Sequence, residues 1–138
     1  MDAEKIVNIL DACAMLAFLN DEEGADVVEA RLSDDEIVCY AHSINICEVF
    51  YDSIRVKDEV YAEKLLGDLI AAGVIIRNDF DTAFWKEVAR LKAFHRASLA
   101  DFCGVVLAKR LGGSFLTADH HEFDKIAQNN ICKVQFIR

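Results

Sequence analysis

Four acidic residues occupy positions where an unpaired charge is costly. Asp11 closes the apolar run Ile6-Val7-Asn8-Ile9-Leu10, and Glu48 lies inside Ile44-Asn45-Ile46-Cys47-Glu48-Val49-Phe50-Tyr51. Asp101 opens a helical, apolar stretch from Leu99 to Ala108, and Asp119 follows Ser114-Phe115-Leu116-Thr117. Acidic side chains are rarely buried unless they are paired or bound to metal. Four carboxylates at the mouths of apolar segments form an oxygen-only donor set of the kind Mg²⁺ prefers. A site of that kind suits chemistry on phosphate groups, where a bound cation can activate water and neutralise charge on a phosphoryl group.

Each acid also has a structural alternative that stays open at this level. Asp11 can N-cap a helix starting at Ala12. Ser98-Leu99-Ala100-Asp101 has the spacing of a capping box, and Asp119 to Glu122 repeats it. Glu48 is the hardest to explain as structure. Its helical neighbours Ile44, Cys47 and Tyr51 place it on an apolar stripe.

Positioning these residues requires strands and helices in alternation. Hydrophobic periodicity predicts strands over 5–10, 36–40, 74–77, 114–117 and 131–136. It predicts helices over 12–20, 23–32, 43–55, 58–72, 82–95 and 98–111, with a short one near 121–128. The strands are short and apolar on both faces, as in a buried parallel sheet. The expectation is a three-layer α/β/α fold in a single domain, 1–138. Ligands bind at the carboxyl ends of strands in such sheets. Asp11 and Asp119 follow strands, Glu48 lies in the second turn of a helix leaving a strand, and Asp101 lies in the first turn of a helix feeding one. All four can meet at that edge.

Composition narrows the class. The chain has 138 residues, 54% of them hydrophobic, which places it outside the disordered range. No apolar run approaches the roughly 20 residues of a membrane span. Met1-Asp2-Ala3-Glu4-Lys5 lacks the layout of a secretory signal, so a cytoplasmic address with no membrane partner is expected. Five cysteines without paired spacing read as buried, reduced thiols and argue against zinc. A net charge of −9 argues against a strong nonspecific nucleic-acid binder, but not against a nuclease with an acidic site.

Supporting residues are fewer. The Thr117 hydroxyl can hold water or Asp119. Arg96, just before the 98–111 helix, is placed to meet a nucleic-acid backbone. His120 and His121 follow Asp119 closely enough to touch a phosphate. His42 and His95 read as surface or loop residues.

Taken in order, the segments 7–13, 43–51, 98–108 and 115–123 resemble the PIN-domain nucleases of the VapC toxin type. The resemblance spans nearly the whole chain. It implies a PIN-like fold with a short, mostly parallel five-stranded sheet, and Mg²⁺ or Mn²⁺ held by Asp11, Glu48, Asp101 and Asp119. It also implies endoribonuclease activity on RNA, homodimerisation, and inhibition by a small antitoxin protein. Two positions depart from the family pattern: Cys13 stands where a hydroxyl residue is common, and Phe123 lies one residue farther from Asp119. The alternative reading is an acidic Mg-binding phospho-acceptor or a non-catalytic interaction domain. A phospho-acceptor calls for a strand ending in Lys, and none of the expected strands does. Apolar residues on 43–55 and 58–72 (Phe50, Tyr51, Ile54, Val60, Tyr61, Leu65) are candidates to face the antitoxin or a second copy.

Overall fold

The computed structural model describes residues 4–138. Five strands and seven helices form in the expected order. They are β1 (Ile6–Leu10), α1 (Ala12–Leu19), α2 (Ala25–Leu32), β2 (Ile37–His42), α3 (Ser43–Val56) and α4 (Glu59–Ala72). β3 (Ile75–Arg77), α5 (Thr82–Phe94), α6 (Leu99–Leu111), β4 (Ser114–Thr117), α7 (His120–Gln128) and β5 (Lys133–Phe136) complete the chain.

The strands make one sheet in the order β3-β2-β1-β4-β5, with every pairing parallel. Alternate residues of the central strands feed the two faces. Ile9 and Phe115 pack against Phe84 and Val88 of α5, Phe102, Val105 and Val106 of α6, and Phe123 and Ile126 of α7. Leu10, Cys39, Ala41 and Leu116 pack against Met15, Val28, Val49 and Leu69, drawn from α1, α2, α3 and α4. This is the three-layer arrangement expected of strands that are apolar on both sides. Gly73 and Gly112 end α4 and α6 in the left-handed conformation, at φ of 113° and 65°.

Gly104 lets α6 lie close on the sheet. A Cβ there would overlap the Phe115 ring and meet Asn45 Nδ2 at 3.3 Å.

Several local expectations change. β2 runs on to His42 because that residue is buried, not at the surface. Ile44 N–H donates to His42 Nδ1 at 3.1 Å, and Nε2 therefore carries the proton that it donates to the Asp79 carbonyl at 2.7 Å. The ring stacks on Phe84 with centroids 5.4 Å apart, so His42 is at once strand end, helix cap and core side chain. Cys39 and Cys103 are buried as expected, whereas Cys13 and Cys47 are exposed, since α1 and α3 turn those positions outward.

Candidate active site

The sheet order changes direction at β1 and β4, where open α/β sheets form their ligand crevice. The two strand ends are locked together: Asp11 N–H donates to the Leu116 carbonyl at 3.2 Å. Asp11 is buried directly after β1. Thr117, the last residue of β4, is fully buried, and its hydroxyl accepts from Asp119 N–H at 3.0 Å. Thr117 also lies close enough to the Asp11 carboxyl to oppose the rise that burial causes.

The other two acids arrive on helices. β2 hands directly to α3, which carries Glu48 in its second turn, and α6 starts with Asp101 in its first turn. Asn45 joins the helices by donating from Nδ2 to the Ala100 carbonyl at 3.4 Å, beside the close approach that Gly104 allows. Asn45 lies one turn before Glu48, and Ala100 adjoins Asp101.

The capping interactions and the shared acidic field are both present. Ala14 N–H donates to Asp11 Oδ1 at 2.7 Å, and Glu122 N–H donates to Asp119 Oδ1 at 3.2 Å. Ser98 and Asp101 form the full capping box, with bonds of 3.1 and 3.0 Å. A carboxylate has two oxygens and about four acceptor sites, so a cap does not use it up.

Electrostatics show that the four acids share one field. Burial pushes the Asp11 carboxyl up to about 7, with added repulsion from Asp101 and Glu48 and opposition from its Thr117 and Ala14 hydrogen bonds. Burial also raises Glu48, reinforced by Asp101. Asp101 is raised by burial first, then by Asp119 and Glu122, against its bonds to Ser98. Among the described residues none of Asp11, Glu48, Asp101 and Asp119 forms an ion pair.

Among the described residues, however, no three His, Cys, Asp or Glu side chains are gathered closely enough to hold a metal ion as they stand. In kind, the donors fit a hard divalent cation: all are oxygens, and among the described residues no cation pairs with them. Asn45 Oδ1 adds a buried acceptor without a hydrogen-bond partner.

The remaining candidates separate. Arg96 is exposed at the start of the α5–α6 connection. It lines a cavity of about 360 Å³ with His95, His121, Glu122 and Lys125. His120 is engaged within the chain. Its ring contacts Asp124 at 3.2 Å and the Arg138 carbonyl at 2.8 Å, and it stacks on Phe136 at 3.8 Å between centroids. Asn45, Glu122 and Lys125 were not singled out as site residues from the sequence. Asn45 left a signal, a polar residue inside an apolar helical run three positions before Glu48. Lys125 left a weaker one, four positions after His121 on the same helix face.

The protein is an all-parallel α/β domain with Asp11, Glu48, Asp101 and Asp119 at the C-terminal edge of its sheet. Residues 9–129 match the model of the PIN domain, and the chain belongs to that family, whose members are nucleases that generally use divalent metal ions. Comparison with curated protein sequences gave no match. Among solved structures, the fold is similar to VapBC2 from Rickettsia felis bound to a promoter DNA fragment, with TM-score 0.72 and 12% identity over 95% of this chain and 98% of that one. It is similar to DNA-bound VapBC from Salmonella typhimurium, with TM-score 0.71 and 15% identity over 96% and 99%. It is also similar to VapC20 from Mycobacterium tuberculosis, a toxin that cleaves the sarcin-ricin loop, with TM-score 0.69 and 10% identity over 86% and 94%. No described helix is long and apolar enough to cross a membrane.

Proposed function

We propose that this PIN-domain protein is a divalent-metal-dependent endoribonuclease and the toxin of a toxin–antitoxin pair. The observation that carries the nuclease reading is the electrostatic coupling that links Asp11, Glu48, Asp101 and Asp119, with no ion pair to any of them among the described residues. The toxin reading is supported by the likeness to VapBC structures and to a loop-cleaving toxin.

In this reading the four carboxylates hold Mg²⁺ or Mn²⁺, which when bound supplies charge to the phosphoryl group under attack and makes water more acidic. The Ala14 N–H holds the Asp11 carboxylate, and the Thr117 hydroxyl accepts from Asp119 N–H. The capping bonds hold one oxygen of each aspartate still and leave acceptor capacity on the carboxylate for a cation. Asn45 Nδ2, bonded to the Ala100 carbonyl, braces α3 against α6 and so holds Glu48 and Asp101 in their relative places. Hydrolysis leaves 5′-phosphate and 3′-hydroxyl ends. Arg96 contacts the RNA backbone, whereas His120 serves the fold by anchoring the C-terminus.

Tyr51, Ile54 and Val60 stand exposed on α3 and α4, and Leu65 is buried between the helices. This exposed apolar strip is the surface on which an antitoxin or a second copy would bury area. Incubating the purified chain with cellular RNA, in Mg²⁺ or Mn²⁺ and in chelator, tests the proposal. Cleavage must require the cation, vanish in Asp101→Asn, and leave 5′-phosphate ends. Cation-independent cleavage, or none under any condition, sinks it.

A further inference from the structure

We propose that the cleft between the α5–α6 connection and α7 seats the RNA strand beside the cleavage point, with Phe94 stacking on an unpaired base and Arg96 and Lys125 holding the adjoining phosphates. This rests on the nuclease reading and deepens it.

The cleft, about 360 Å³, is lined by Phe94, His95, Arg96, His121, Glu122 and Lys125 among others. In a chain of net charge −9, it gathers two permanent cations and two imidazoles around one carboxylate. It adjoins the acids on both sides. Arg96 stands two residues before the Ser98 cap of α6, and His121 two residues after Asp119. Glu122 lies within electrostatic reach of Asp101. A strand drawn to the four carboxylates therefore has basic groups along its continuing path, the arrangement that tracks a phosphate backbone.

Phe94 supplies what phosphate contacts alone do not. It ends α5 at 84% exposed, a large apolar ring offered to water at the rim of a polar cleft. The segment that carries it is fixed. Lys92 Nζ donates to the Ala97 carbonyl at 3.1 Å, Ala97 is buried, and the His95 ring packs 6.2 Å from that of Phe102. An exposed aromatic on a rigid turn beside cations is a stacking platform for a base that has left its pair. A duplex offers it no base face.

The full chain, in chelator, is titrated against a fluorescein-labelled pool of mixed-sequence 12-nucleotide single-stranded RNA and against a matched duplex. Fluorescence anisotropy reads affinity, and light scattering reads oligomeric state. Phe94→Ala should weaken single-strand binding roughly tenfold and Phe94→Trp should restore it. Arg96→Ala with Lys125→Ala should flatten the salt dependence by about one and a half in log–log slope. Lys86→Ala, away from the cleft, should change neither.

If wild type binds and cleaves RNA but Phe94→Ala binds as well, the proposal falls and the nuclease reading stands. The same holds if Phe94→Ala splits a dimer while RNA affinity is kept, or if duplex binds as tightly and loses as much. A wild type that neither binds nor cleaves RNA overturns both.

Discussion

Two groups of acids sit at opposite ends of the electrostatic range in this molecule. Beyond β3, Asp79 receives Arg77 at 2.8 Å and Arg110 at 3.1 Å, while Asp81 takes the other arm of Arg110 at 2.8 Å. Those hydrogen bonds hold both carboxyls below their ordinary value, the Arg77 bond weighing most for Asp79 and the Arg110 bond for Asp81. At the sheet edge Asp11, Glu48 and Asp101 are held above theirs, by burial first and then by neighbouring carboxylates: Asp101 and Glu48 act on Asp11, Asp101 on Glu48, and Asp119 and Glu122 on Asp101. The residue types are the same, and the difference is the company they keep. One group is balanced by the chain's own arginines and belongs to the fold. The other is balanced by nothing within the described chain, which is the mark of a site that takes its counter-charge from outside.

The contrast can be broken most directly by substitution. Asp101→Asn should lower RNA cleavage by roughly 100-fold or more, since it removes a charge from the proposed ligand set. Its melting temperature should barely move, because Asn can still accept from Ser98 N–H and the loss stays near ~0.5 kcal/mol. Asp79→Asn should do the reverse, costing about 1 kcal/mol after solvent screening is allowed for, with cleavage intact. If both variants lose activity, or both lose only stability, the two groups are not different in kind.

Acidity gives the next largest effect. Asp11 is raised from 3.8 to about 7 in the folded chain, so between those values the native state binds more protons than the unfolded one. Stability in chelator should therefore fall as pH rises from about 4 to about 7, and an ionised Asp11 costs on the order of 4 kcal/mol above that window as an upper bound. The Asp79 and Asp81 carboxyls are depressed, so their contribution is present above 3.8 and is lost as pH drops through their folded values. Thermal melts across pH, with and without Mg²⁺, should show the cation restoring stability mainly at pH 8. A melting curve that rises from pH 5 to pH 8 in chelator would contradict the burden assigned to Asp11.

The smallest expected effect is the most diagnostic of repulsion. Glu48→Gln should raise the melting temperature in chelator, because it removes a half-buried charge that Asp101 opposes. It should also blunt the stabilisation by Mg²⁺. A lower melting temperature in chelator would mean that Glu48 is held by contacts rather than tolerated for its charge.

The four acids were legible in the sequence because apolar neighbours made them conspicuous. The sheet was legible because both faces of each central strand are apolar, and element ends were marked by Gly73, Gly112 and the Ser98 box. Other features depend on distant partners that no local pattern reports. His42 is buried because Phe84 and Asp79, far along the chain, close over it. Arg96 stood out by its place before α6, but Lys125 resembles an ordinary solvated helix-end cation, and only the docking of α7 beside the α5–α6 connection brings the two onto one wall. Asn45 was visible as a misplaced polar residue, yet its link to Ala100 needs the crossing of α3 and α6.

Gly104 has a consequence for how this protein can vary. Its missing side chain is the clearance that seats α6 on Phe115 and α3 against α6. Any larger residue would wedge the helix outward and carry Asp101 away from Glu48 without touching a single acid. In a genetic screen for loss of activity, Gly104 should therefore return as often as the carboxylates themselves, although it has no functional group to lose. A lineage that keeps the reaction has no room to drift at this position.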